Sequence, residues 1–192
     1  MPRELIAVGA SWGGLRAVGD LLAGLPEDFA PAVVVAQHRS PDSAPGGLEQ
    51  ALGRRTALRV CEPSDKDPIE GGRVYVAAPD YHLMVEPGHF ELSVDAPVTF
   101  SRPSIDVLFE SVADAYGDRA VGVVLTGASS DGARGLLRMR AAGALTFVQD
   151  PDEAERREMP DAAVRAGAAE HVCALADLPS LLVGACSASR AA

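Results

Sequence analysis

The sequence predicts an α/β domain: a doubly wound, mainly parallel sheet with helices on both faces and one added antiparallel hairpin. Three observations carry this expectation. Short β-branched runs alternate with stretches of helical periodicity. Residues 32–36 are apolar at every position, as a strand buried on both faces must be. The strongest strand runs end in polar or glycine-rich turns that lead toward helices. With 192 residues the chain fits one domain and can build a core without disulfides or a structural metal. That domain is assigned to residues 1–186, leaving 187–192 as a small, polar, frayed tail.

Residues 5–8 form the first strand, and Leu15, Val18, Leu21, Leu22 and Leu25 give the helix after it an apolar stripe that stops at Pro26. The apolar run 32–36 is the second strand and closes on Gln37 and His38. A Ser-, Pro- and Gly-rich stretch over 39–47 precedes a short helix at 48–52, a third strand at 58–60 and a fourth at 74–77. Residues 82–85 and 90–94 flank Pro87 and Gly88 and read as the antiparallel hairpin added to the sheet. Ser104 is placed to cap a helix whose buried stripe is Ile105, Leu108, Phe109 and Val112. Residues 121–125 are the next strand, and the polar turn 126–132 opens a helix running through Arg140. A strand at 145–148, a charged loop at 150–158, a short helix at 161–166 and a last strand at 171–175 complete the pattern.

Composition excludes several function classes. Seventeen basic against 27 acidic side chains give a formal charge of −10, which repels phosphate backbones and anionic membrane surfaces, so nucleic acid is not expected as a partner. Lys66 is the only lysine, leaving no lysine cluster and no ready Schiff-base residue. No apolar run approaches the roughly 20 residues that span a bilayer, and the N-terminus lacks the long apolar core of a signal peptide; membrane insertion is not expected and a cytoplasmic location is. Cys61, Cys173 and Cys186 are odd in number, far apart and without a CxxC, and read as reduced packing residues. Neither a metal nor a cofactor is expected.

Ligands of an open parallel sheet bind at the C-terminal ends of its strands. Ser11, His38 and Asp131 each stand just beyond a strong apolar strand, and together they are the residue types of a Ser-His-Asp relay. Ser11 lies in Gly9-Ala10-Ser11-Trp12-Gly13, a G-x-S-x-G between strand and helix, where a sharp turn lifts the hydroxyl and points backbone N–H groups toward an oxyanion. Ser11 is therefore either a helix cap or a nucleophile. His38 is either a polar strand end or the base, and Asp131 either a first-turn carboxylate offsetting a helix dipole or the group that orients the imidazole. A dinucleotide loop would need glycine where Ser11 stands, and no Walker lysine is present. The order Ser, His, Asp also differs from that of α/β-hydrolases, whose acid precedes the histidine. His82 is placed on a strand or hairpin with access to the site, whereas His89 and His171 read as surface or packing residues.

These residues resemble the catalytic domain of the bacterial chemotaxis protein-glutamate methylesterase family (CheB). The resemblance rests on Ile6-Ala7-Val8-Gly9-Ala10-Ser11 with Gly13-Gly14, on Ala36-Gln37-His38, and on Ala77-Ala78-Pro79 with His82. It continues through Arg102-Pro103-Ser104-Ile105-Asp106-Val107-Leu108-Phe109, Val121-Gly122-Val123-Val124-Leu125-Thr126-Gly127 with Asp131-Gly132, and Met159-Pro160. It implies a nucleophile at Ser11, a base at His38 and an orienting carboxylate at Asp131. The implied reaction is hydrolysis of glutamate methyl esters on methylated chemoreceptors, with glutamine deamidation as a second activity. By the family's geometry the oxyanion donors are the backbone N–H groups of Trp12 and Ala128, and Gly13, Arg102, His82 and Met159 are substrate-pocket candidates.

This chain departs from the family's pattern at Trp12, at Ala128-Ser129 in the turn before the aspartate, and at Glu158 before Met159-Pro160. The family's usual members also place a phosphorylatable receiver domain ahead of this one, while here the serine motif begins almost at the first residue, so either regulation comes from a separate receiver-domain protein or the domain is constitutively open. Two other readings keep the same residues: a catalytically weak binding module in a signalling complex, or a hydrolase with the same triad and a different ester substrate.

Overall fold

A strand whose residues are all apolar has no face to offer water, so it must lie in mid-sheet with cover on both sides. In the computed structural model, which describes residues 3–187, this is the position of β1 (Leu5–Ala10) and β2 (Ala32–Gln37), both buried throughout. Between them runs α1 (Gly14–Ala23), and beyond them α2 (Gly47–Gly53), β3 (Arg59–Cys61) and β4 (Arg73–Val76). The hairpin β5 (His82–Glu86) and β6 (His89–Ser93) leads to α3 (Ile105–Tyr116). The second half comprises β7 (Ala120–Val124), α4 (Ala133–Ala141), β8 (Leu145–Gln149), α5 (Glu158–Arg165), β9 (His171–Cys173) and α6 (Leu178–Ser187).

Seven strands form one sheet in the order β3-β4-β2-β1-β7-β8-β9, and every pairing in it is parallel. The chain winds outward from β1 in one direction through β2 and in the other through β7. The reversal of order falls at the β1/β7 boundary, where an open sheet leaves a crevice beyond its strand ends. Alternate residues of each strand feed separate cores. Leu5, Ala7 and Val34 pack with Ile105, Leu108 and Phe109 of α3 and Leu136 of α4, while Ile6, Val8 and Val35 pack with Val18 and Leu21 of α1 and Leu178 and Leu182 of α6. The doubly wound expectation holds.

Two expectations need correction. The hairpin does not join the main sheet: β5 and β6 form their own two-stranded sheet packed on α3. Leu83, Val85 and Phe90 spend their apolar surface in the α3 core, with the Phe90 ring 4.7 Å from Tyr75, so burial rather than a backbone ladder fixes the hairpin. Ser187 is the last residue of α6 rather than the start of a tail, and residues 188–192 lie outside the described residues. The sequence reading assigned nothing to α6; Pro179 sits in its first turn, where a missing N–H costs no hydrogen bond. For the same reason α5 starts at Glu158, ahead of Pro160, rather than at 161. The remaining boundaries shift by a residue or two.

Helices α3 and α4 approach closely at Gly135. A Cβ there would lie 2.6 Å from Cβ of Phe109 and 2.9 Å from the backbone oxygen of Asp106, contacts that no rotamer change relieves. Gly135→Ala is therefore expected to destabilise the protein by about 1–3 kcal/mol despite alanine's better helix propensity, as read from the midpoint of urea unfolding.

Candidate active site

Ser11 directly follows β1. Its N–H donates to the Thr126 carbonyl at 3.0 Å, and its own carbonyl accepts from Gly14 N–H at 2.8 Å and Gln37 Nε2 at 2.7 Å. Gly13, at φ 76°, is the N-cap of α1, and no side chain caps that helix. The capping alternative for Ser11 therefore falls. Gly14 is required as well, since a Cβ would come within 2.0 Å of Gln37 Oε1. Gln37 Nε2 also donates to the His38 carbonyl at 3.0 Å, so one buried amide holds the ends of both strands.

The β1/β2 register pairs Ala10 with Gln37 and continues through a 3.0 Å bond from His38 N–H to the Ala10 carbonyl. Ser11 and His38 are thus neighbouring residues on adjacent strand ends, where parallel backbones run about 4.8 Å apart. His38 Nε2 lies 2.7 Å from Asp131 Oδ2. An ionised carboxylate only accepts, so Nε2 carries the ring hydrogen and Nδ1 keeps its lone pair on the opposite side. Ser101 Oγ lies 3.5 Å from Nδ1.

Asp131 is almost wholly buried and accepts three further bonds, from Ser104 Oγ at 2.9 Å, Ile105 N–H at 2.7 Å and Asp106 N–H at 3.0 Å. These two amides belong to the first turn of α3, so Asp131 occupies the positive end of a helix other than the one it precedes. Asp106 returns the arrangement by accepting from Gly132 N–H at 2.9 Å and Gly135 N–H at 2.7 Å at the start of α4. Each helix is capped by a carboxylate from the other's leading segment. Burial pushes the Asp131 carboxyl up, but the His38 bond and the α3 amides outweigh it and hold the group below its ordinary value. Asp106 goes the other way: burial, joined by the Asp131 charge, raises it against the pull of its two amides.

The amides of Trp12 and Ala128 donate to no protein acceptor among the described residues, which leaves both available to an oxyanion. Gly127 holds the second of these turns against the first: a Cβ on it would meet Ser11 Cβ at 2.7 Å and Met159 Sδ at 2.0 Å. Met159 is buried against this point and donates its N–H to the Gly127 carbonyl at 2.9 Å. Thr126 Oγ1 bonds the Trp12 carbonyl at 3.0 Å and accepts Arg156 N–H at 2.9 Å, fastening the serine turn to the charged loop 150–157. The Trp12 indole N–H donates to Glu155 Oε1 at 3.0 Å, and the Arg156 guanidinium lies 5.3 Å from the ring centre. The indole stays largely exposed beside Ser11.

Two pocket candidates take other roles. His82 is buried on β5; its Nδ1 accepts from Ser104 N–H at 3.2 Å and its Nε2 donates to the Ala96 carbonyl at 3.2 Å, so it holds the cap of α3 and presents no nitrogen to a ligand. Arg102 is committed to Asp80, at 3.0 Å through Nε, and to the carbonyls of Val94 and Asp95. Sequence reasoning did not assign Gln37, Thr126, Ser101 or Asp106 a function. For Asp106 the signal was available as a carboxylate two residues after an N-cap serine; for the others it was not, because their partners are far away in sequence.

Three comparisons bear on this geometry. A family model described as CheB methylesterase matches residues 6–182. A protein-glutamate methylesterase/protein-glutamine glutaminase of Hahella chejuensis is 46% identical over 176 residues, covering 90% of this chain and 48% of that protein. One of Dechloromonas aromatica is 40% identical over 189 residues, covering 96% and 53% respectively. The chain thus spans about half the length of these two relatives. A Leptospira interrogans relative that carries a provisional name for the same two activities is 40% identical over 184 residues, 95% of each chain. Among solved structures, the Thermotoga maritima CheB methylesterase catalytic domain superposes with a TM-score of 0.88 at 27% identity, over 96% of this chain and 99% of that one.

Because Asp131 is held below the ordinary carboxyl value of 3.8, its ionised form stabilises the fold above that pH, and the contribution disappears as pH falls through the lower native value. The stability gap between wild type and Asp131→Asn should therefore be full at pH 6 and shrink steadily below pH 3.8, as followed by urea unfolding across that range.

Proposed function

The chain belongs to the CheB methylesterase family, and from that membership and its site geometry we propose that it is a Ser-His-Asp carboxyl-ester hydrolase acting on glutamate methyl esters. The observation that carries the reading is the 2.7 Å bond between His38 Nε2 and Asp131, with Ser11 at the adjacent strand end. Its substrates are the methylated glutamates of chemoreceptors, and glutamine side chains of the same proteins are a second substrate class. The cytoplasm is the proposed location.

In this mechanism Asp131 fixes the tautomer, so Nδ1 of His38 is the base. Ser11 Oγ adds to the ester carbonyl as its proton passes to Nδ1. The tetrahedral oxyanion takes hydrogen bonds from Trp12 N–H and Ala128 N–H. Collapse expels methoxide, which leaves as methanol with the proton from His38, and Ser11 remains as the glutamyl ester. Water then adds to that acyl group with His38 again as base, releasing glutamate and free Ser11. With glutamine in place of the ester, the leaving group is ammonia. The negative charge on Asp131 stabilises the imidazolium formed in both halves.

The exposed Trp12 indole beside the nucleophile supports one second reading, in which the same relay serves a different ester. Intact-mass analysis after a fluorophosphonate tests the relay without reference to substrate. A single adduct is expected on wild type, none on Ser11→Ala, and labelling slowed on the order of 10³–10⁴-fold in Asp131→Asn, where an amide can stabilise the wrong tautomer. Methanol release from a methylated chemoreceptor, abolished in Ser11→Ala, would support the methylesterase assignment. An adduct without methanol release would support a different ester, and absence of any adduct would favour a binding module.

A further inference from the structure

Residues Val98, Thr99, Phe100 and Ser101 form a tight two-residue turn, closed by paired bonds of 3.1 and 2.9 Å between the backbones of Val98 and Ser101. Both central residues lie in the left-handed region, Thr99 at φ 49° and Phe100 at φ 61°. Such turns favour asparagine and glycine, and a β-branched residue followed by a phenylalanine costs backbone strain at each position. Packing does not offset it, because Phe100 is 102% exposed and its ring rests on nothing. Strain and apolar exposure at one residue point to a use outside folding.

Its position indicates that use. Ser101, the next residue, has its hydroxyl 3.5 Å from the catalytic nitrogen of His38. Arg102 follows, bonding Asp80 and the Val94 carbonyl, and Tyr81 and Val94 at these partners are exposed. A small ester seated on Ser11 cannot cover a side chain that projects wholly into solvent. A polypeptide that carries its ester on a glutamyl side chain can, if residues next to that glutamate are apolar. We infer that Phe100 is a specificity-determining contact for the protein substrate, engaging apolar side chains that flank the glutamyl ester. The inference rests on the methylesterase reading and adds what must surround the ester.

Two synthetic helical peptides test it, each with one central glutamate γ-methyl ester. One carries leucine three and four residues to either side, and the other carries serine at those positions. Methanol release gives kcat and KM for wild type and for Phe100→Asn, whose asparagine suits the left-handed turn and keeps the fold. Wild type should favour the leucine peptide by about tenfold, through KM, the factor that partial burial of one phenyl ring supplies. Phe100→Asn should lose that preference while hydrolysing the serine peptide and p-nitrophenyl acetate as wild type does. Equal use of both peptides by wild type, or a preference retained in the variant, would overturn the role of Phe100 and leave the methylesterase reading standing. Hydrolysis of p-nitrophenyl acetate with neither peptide ester cleaved would overturn that reading and the Phe100 contact with it.

Discussion

The reciprocal capping of α3 and α4 is the constraint on which the site depends. Each helix begins with backbone N–H groups that lack intrahelical partners, and each takes its acceptor from the other's leading segment: Asp131 for α3, Asp106 for α4. Crossing them fixes the two helix starts together, and Gly135 lets the helices come close enough for the bonds to form. The same carboxylate that caps α3 then has one lone pair left in the direction of His38. The bond to His38 and the capping of α3 are one arrangement, because Asp131 makes both.

The serine side is built on a different principle. Ser11 and His38 need no long-range tether to meet, because parallel pairing of β1 and β2 already places their positions side by side. What needs fixing is the turn after β1, which must leave amides free without losing its shape. Gln37 and Thr126 do this by bonding the carbonyls of Ser11 and Trp12, so the turn is anchored through its acceptors and its donors stay open. Donors of this kind are backbone amides, so a change of side chain at Trp12 or Ala128 leaves them in place. The indole alters the wall of the site without removing a donor.

Much of this was legible in the sequence, and the limits have physical causes. Periodicity located the strands and most helices, because burial on two faces leaves a continuous apolar run and burial on one leaves a helical stripe. Ser11, His38 and Asp131 stand out because each lies at the carboxyl end of a strand in a polar turn, and the fold sets Ser11 beside His38 and bonds His38 to Asp131. The hairpin was misplaced because alternation reveals a strand but not its partner, and Phe90 could have faced either a sheet edge or α3. Residue 131 was read as preceding α4, with no sign that its carboxylate would serve α3. His82 shows the same limit in reverse: a histidine near the site in the chain's logic proves to spend both nitrogens on backbone groups behind it.

Not every turn follows local conformational preference. Most turns in this fold obey conformational preference: Gly13, Gly132 and Gly143 take positive φ, as residues without a Cβ readily do. The turn at Thr99 and Phe100 does not, and it lies one residue from the hydroxyl that faces His38. Strain in a remote loop would say little. Placed beside His38, which is held from within by Asp131, it marks the part of the surface the interior does not determine. In the proposed mechanism the core of the site supplies the acyl-transfer chemistry through Ser11, and the rim is where the acyl donor is read.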